Sequence, residues 1–277
     1  MKLSRRALTG EGNMNFNDII LKKEGHIATL TLNRPDQLNA ISRQMADELV
    51  AAIADIANED DTRVMVFTGA GEGFCTGGDI REPVAEVYGG SAHNISSALH
   101  RIYLGTVLKL YNLDIPTIAM VNGAAIGWGF DLALACDIRI GSENASFMVG
   151  FTRLALTPAT GGAWLMPRIV GLPKAAELIY TGNSLEPEEA LRLGILNRLV
   201  SSPELERETM ALAQKISRNS RLANRLAKLQ MHKGLHSDLE AALELGAICQ
   251  GICMASEDFQ EALVALRDKL YLKGGNI

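Results

Sequence analysis

Cysteine is scarce in this chain. Its 277 residues hold four, Cys75, Cys136, Cys249 and Cys253, and with no secretory signal they read as reduced thiols in a cytoplasmic protein. Cys249 and Cys253 are one helical turn apart, but no histidine lies near them, so no metal site is expected there. No apolar run reaches the ~20 residues needed to span a bilayer, which gives no expectation of a membrane helix. An excess of positive charge is also missing. The 27 basic and 32 acidic residues leave a net charge of −5, which favours neither nucleic acid nor an anionic membrane as main partner. The opening MKLSRRALTGEGN has basic residues without an adequate apolar region. Residues 1–13 are therefore read as a disordered extension, with Met14 as an alternative start.

What is present is a large globular composition, 47% hydrophobic and 21% charged, with no low-complexity segment or long linker. Strand and helix signals alternate at first. Residues 26–32 alternate as a half-buried strand, and 43–59 carry Met45, Leu49, Ile53 and Ile56 at helical spacing. A buried strand over 63–68, a helix over 95–112 and a strand over 117–121 follow. A helix over 129–136 and a strand over 137–140 complete the series. Beyond about residue 200 only helical signals remain, three or four of them over 203–270. The fold class is α/β, a core over 14–200 with a helical layer over 201–277.

Two glycine-rich turns carry the chemistry. In VNGAAIGWGFDLALAC (121–136), the Gly127-Trp128-Gly129 turn runs straight into an apolar helix. Its first amides have no acceptor within the helix and sit at the positive end of its dipole, which suits an oxygen gaining negative charge. Asp131 lies one turn along the same face, placed to move a proton on whatever is polarised there. In GAGEGFCTGGDI (69–80), a second turn follows the buried strand and supplies another amide, most naturally that of Gly78. Either turn alone is an ordinary tight connection.

Together, and in this order, the motifs resemble the crotonase (enoyl-CoA hydratase/isomerase) family. The likeness runs from LNRPDQLNAIS (32–42) through FCTGGDI (74–80) and IPTIAMVNGAAIGWGFDLALACDIRI (115–140). It continues into TPATGGAWLMPRIVGLPKAAELIYTGNSLEPEEALRLGILNRLV (157–200) and the final SEDFQEALVALRDK (256–269). The resemblance implies a ββα spiral core and an acyl-CoA thioester substrate, with coenzyme A as part of the substrate and no separate cofactor. It also implies a homotrimer or a dimer of trimers. Gly78 and Trp128 would supply the two oxyanion-hole amides and Asp131 the first catalytic carboxylate. The backbone around Cys75, Thr76 and Ile80, with Ala40 in the 32–42 loop, would hold the pantetheine and adenine. Arg34 would neighbour a phosphate. Gly127, Phe151 and the Trp128 side chain would shape an apolar acyl pocket. Asp79 and Asp137 are read as structural.

The chain departs from the pattern where a second acid is usual. Hydratases and many isomerases of the family carry a glutamate where this chain has Phe151. Ring-1,2-epoxyphenylacetyl-CoA isomerases carry an aspartate where it has Ala159. Hydration is done most simply by two carboxylates, whereas moving a double bond can use one base. One acid plus a hole therefore fits isomerisation better. Substitute acids could come from Glu82, Glu86, Tyr88 or His93. His232 and His236, at i and i+4 without a carboxylate motif, read as a surface helix end. The stripe Lys215, Arg218, Arg221, Arg225, Lys228 and Lys233 reads as a solvated face. The alternatives are another crotonase reaction (thioester hydrolysis, decarboxylation or C–C cleavage) or a non-catalytic binding protein.

Overall fold

The computed structural model describes residues 16–81 and 91–272. The expected extension over 1–13 and three of the substitute candidates, Glu82, Glu86 and Tyr88, lie outside them.

β1 (Ile19–Glu24) and β2 (Ile27–Leu32) pair antiparallel across a tight turn in which Gly25 takes φ 57°. β2 runs parallel to β3 (Val64–Gly69), a pairing no hairpin can make, so the chain crosses over through α1 (Arg43–Ala57). That helix begins where the Ser42 hydroxyl accepts the Met45 N–H at 2.9 Å. It buries Met45, Leu49, Ile53 and Ile56, the face its spacing predicts. β3 is buried along its whole length, as a strand inside a covered parallel sheet must be.

The helix expected over 95–112 is present but uneven. α2 (Ala92–Tyr103) passes through a π-helical stretch, Leu104–Leu108, before a last turn at Lys109–Tyr111. Next come β4 (Thr117–Val121), β5 (Ala124–Ile126), α3 (Trp128–Ala135), β6 (Ile138–Ser142) and β7 (Ser146–Met148). Helices α4 (Gly162–Val170), α5 (Leu172–Thr181) and α6 (Pro187–Arg192) precede β8 (Arg198–Val200). The main sheet has the order β1-β2-β3-β4-β6-β8, and β5 and β7 form a small parallel sheet of their own. Those three-residue strands are too short for a period-2 pattern to show.

Four helices close the described chain: α7 (Leu205–Ser217), α8 (Arg221–Gly234), α9 (Leu239–Met254) and α10 (Glu257–Leu272). One face of the sheet packs into the main core with α1, α3 and α4. The other packs Ile27, Val64, Val66, Ile118 and Ile140 against Leu205 and Ala213 of α7. Among the described residues, no single helix is long and apolar enough to cross a membrane.

The basic stripe is a solvated face at Lys215, Arg218, Arg225 and Lys233, which are exposed, but not at Arg221 and Lys228. Lys228 is 5% exposed, and its ammonium reaches Asp137 Oδ2 at 2.8 Å and the Ile115 carbonyl at 3.1 Å. Arg221 donates to the Thr62 carbonyl at 3.0 Å, and Arg225 pairs with Asp114 at 2.9 Å. Helical spacing shows that these cations share a side of α8. It cannot show that the acids and carbonyls they meet come from chain 91 to 159 residues earlier.

Candidate active site

The two glycine turns are joined backbone to backbone. Cys75 N–H donates to the Ala124 carbonyl and Ile126 N–H to the Cys75 carbonyl, both at 2.9 Å. Gly129 makes the fit possible: a methyl there would stand 2.2 Å from the Cys75 carbonyl oxygen and 2.7 Å from its sulfur. Cys75 is accordingly wholly buried, and burial pushes its thiol up to about 12. It is a packing residue, with only its backbone near the site.

On its other side the first turn is tied to the 32–42 loop. Ile41 N–H donates to the Gly77 carbonyl at 2.7 Å and Asp79 N–H to the Ile41 carbonyl at 3.0 Å. In extended chain, successive amides alternate sides, so Gly78, lying between these bonds, turns its own N–H away from that loop. Trp128 stands close by. Its ring is 4.0 Å, at Cε3, from where a methyl on Gly78 would be, and its amide nitrogen is 3.5 Å from the same point on Gly77. Trp128 is the first residue of α3, at the end where a helix's backbone N–H groups point outward. Gly78 is exposed and Trp128 only 8% so. Phe151 leans over this corner, its ring edge 3.5 Å from the equivalent point on Gly127.

Asp131 is fully buried. Oδ2 accepts the Thr160 hydroxyl at 2.5 Å and the Gly162 N–H at 3.0 Å. Oδ1 is equally buried and has no hydrogen-bond partner among the described residues. It lies against Gly162, where a methyl would meet it at 2.3 Å. Burial raises the Asp131 carboxyl to about 7, against the opposing pull of Thr160 and Gly162. So although Asp131 sits on the first turn of α3, its carboxyl meets the opening turn of α4. Thr160 and Gly162 were missed in the sequence. The Thr-Gly-Gly before a helical run marks a turn, but nothing in it names the acid that it holds.

The other expected contacts divide. Arg34 donates to the Ala40 carbonyl at 2.6 Å and pairs with Asp79 at 3.0 Å. Bonds from Arg81 first, and from Arg34, hold the Asp79 carboxyl down at about 2, so Asp79 closes a turn, as expected. Arg34 thus braces the loop with at least part of its guanidinium. Ala40 is buried, Thr76 half-buried and bonded to the Leu38 carbonyl at 3.2 Å, and Ile80 is 77% exposed. Asn39, another residue missed, is buried and donates to the carbonyls of Ala70 and Gly73, pinning loop to turn. Asp137 accepts from Thr117 N–H and Oγ1 as well as Lys228. Burial alone would raise its carboxyl, but His232, Lys228 and Thr117 outweigh that and lower it.

His93 is exposed near the start of α2. His232, in the last turn of α8, and His236, exposed just beyond it, lie at a helix end as expected, and they also line a cavity of about 800 Å³ between α8, α4 and the end of α2. His232 stacks on Tyr111 with centroids 4.4 Å apart, and His236 on Trp164 at 5.6 Å.

Residues 22–273 match the model of the enoyl-CoA hydratase/isomerase family. The chain belongs to that family. As an enoyl-CoA hydratase/isomerase, it is 35% identical over 262 residues to a short-chain-enoyl-CoA hydratase of Clostridium acetobutylicum, covering 94% of this chain and 98% of that protein. It is 32% identical over 251 residues to a 1,2-epoxyphenylacetyl-CoA isomerase of Escherichia coli, covering 91% and 95%. The crystal structure of an enoyl-CoA hydratase from Bacillus anthracis superimposes with a TM-score of 0.85 at 34% identity, over 91% of this chain and 97% of that one. The fold is that of the crotonases, and the chain is an acyl-CoA-processing enzyme of hydratase or isomerase type.

Proposed function

We propose that this family member shifts the position of a C=C bond in an acyl-CoA thioester. The thioester oxygen is held by the amides of Gly78 and Trp128, and Asp131 acts as the single proton carrier. Polarisation by the amides stabilises an enolate as Asp131 takes a proton from a carbon next to the conjugated system. The same carboxyl then returns the proton at the other end of the shifted bond, so no atom is gained or lost. The observation that carries this reading is Asp131: one oxygen held by Thr160 and Gly162, the other buried without a partner among the described residues, and a carboxyl raised to about 7. Phe151, apolar at a position where family members carry a second acid, favours double-bond migration over hydration.

Coenzyme A enters as part of the substrate, and no separate cofactor is required. An apolar surface on α9 and α10, with Leu239 75%, Leu243 65% and Leu266 55% exposed, supports assembly as a trimer or a dimer of trimers. The free cysteines fit a reducing, cytoplasmic setting.

A base must be ionised to accept a proton. On an isomerisable enoyl-CoA, kcat/KM is therefore expected to be low at pH 5, to rise through an apparent pKa near 7, and to level off above it. A profile flat from pH 5 to 9 would remove Asp131 from the proton-transfer step.

A further inference from the structure

Thr160 is 2% exposed, and its hydroxyl is bonded to a residue 29 positions earlier. That bond, to Asp131 Oδ2, is 2.5 Å long, and the Gly162 N–H meets the same oxygen at 3.0 Å. Two donors therefore converge on one carboxyl oxygen. The Gly162 amide can only donate. Once protonated, Oδ2 would keep a single lone pair in the carboxyl plane for two donors, so it serves better as an acceptor in both states of the acid. Oδ1 has no hydrogen-bond partner among the described residues. It is the oxygen left to take the proton.

The local chain holds this arrangement in place. Gly161 takes φ 110° as the N-cap of α4, a conformation glycine adopts without strain, and the Gly162 N–H follows it directly. Gly162 also leaves room for Oδ1, since a methyl there would stand 2.3 Å from it. Threonine branches at its β-carbon, which restricts χ1 and presents the hydroxyl in few orientations. Burial raises the Asp131 carboxyl, opposed first by the Thr160 hydroxyl and then by the Gly162 N–H. Among the described residues no charged or titratable side chain bears on it. The hydroxyl thus favours the ionised form, the one able to accept a proton.

We infer that Thr160 is a positioning residue for the proton transfer: its hydroxyl fixes Oδ2 and presents Oδ1 as the oxygen that takes the proton and returns it. The inference rests on the assignment of proton transfer to Asp131 given above. Thr160 exchanges no proton with the substrate and acts only through Asp131. Without its hydroxyl the carboxyl keeps the Gly162 bond alone, turns more freely about χ2 and loses a donor that favoured its ionised form.

The test uses two substitutions in the full-length protein. Thr160→Val removes the hydroxyl at nearly constant volume, and Thr160→Ser keeps it. On an isomerisable enoyl-CoA, Thr160→Val should lower the high-pH plateau of kcat by about 10- to 100-fold, with KM changed by less than about twofold. It should also move the apparent pKa upward by about one unit, as loss of a donor to a charged group requires. Thr160→Ser should recover most of the plateau and the wild-type pKa. A second readout needs no turnover. The infrared carbonyl band of the protonated carboxyl, identified by its absence in Asp131→Asn, should titrate at correspondingly higher pH in Thr160→Val. A folded Thr160→Val with wild-type kcat and pKa would overturn the role. So would a loss that serine fails to recover and that leaves the pKa in place, which is what a purely structural tie between α3 and α4 gives. Failure of the parent reading looks different: the infrared titration would move with Thr160→Val while Asp131→Asn turned over as fast as wild type. Thr160 would then hold a carboxyl that does no chemistry, and its role would fall with that of Asp131.

Discussion

Asp131→Asn is expected to reduce kcat/KM by about 10² to 10⁴, the range that general acid–base groups contribute, while leaving the protein folded. The amide oxygen of asparagine can still accept the Thr160 hydroxyl and the Gly162 N–H, so the α3–α4 junction keeps its bonds. What disappears is titration. The same variant should change how stability responds to pH, and the sign follows from burial. In the unfolded chain Asp131 loses its proton near 3.8, whereas in the folded protein it keeps it until about pH 7. Between those values the folded state binds the extra proton, so its stability falls as pH rises and is level above about 7. The total from this one group is about 4 kcal/mol at ~1.36 kcal/mol per unit. Denaturant melts of wild type and Asp131→Asn at pH 5 and pH 8 should therefore show the variant gaining on the wild type as pH rises. A constant difference between the two would mean that Asp131 is ionised throughout, and the base near neutrality would be lost from the account.

The second large effect is structural. Lys228→Met is expected to destabilise the protein by about 3–5 kcal/mol, because it leaves the Asp137 carboxylate partly buried without its ammonium. For a chain of this size that corresponds to a Tm lower by roughly 10 °C. Methionine preserves the apolar stem, so the loss reports the charge. Adding Asp137→Asn should recover much of it, since Thr117 can still donate to the amide oxygen. A Tm within two degrees of wild type for Lys228→Met would mean that the pair is solvated after all and that α8 is held by other contacts.

These two residues also mark the limits of legibility. The α/β core, the helical layer after it and the meeting of two glycine turns were readable, because each is written in local spacing or in a motif with a steric reason. Gly129 illustrates this: its place is set by a 2.2 Å approach to a carbonyl that only a residue without a side chain tolerates. Asp131 was found, but not the Thr160 and Gly162 that hold it, since a hydrogen bond across 29 positions leaves no trace in spacing. Lys228 was misread for the same reason, its partner lying 91 positions earlier. The cavity was invisible too. It is made where Tyr111, Trp164 and α8 converge, and no local spacing shows that these three meet. The short strands β5 and β7 went unread because three residues are fewer than a pattern needs.

The central claim is that Asp131, with the amides of Gly78 and Trp128 holding the thioester oxygen, moves a proton within the substrate. The most direct measurement is mass spectrometry of enoyl-CoA thioesters, including ring-bearing ones, incubated with the protein in D₂O. The account predicts a product of rearranged double-bond position, with at most exchanged deuterium and no added water. A product heavier by one molecule of D₂O would contradict it, because hydration requires a second proton-handling group that neither Phe151 nor Ala159 can provide.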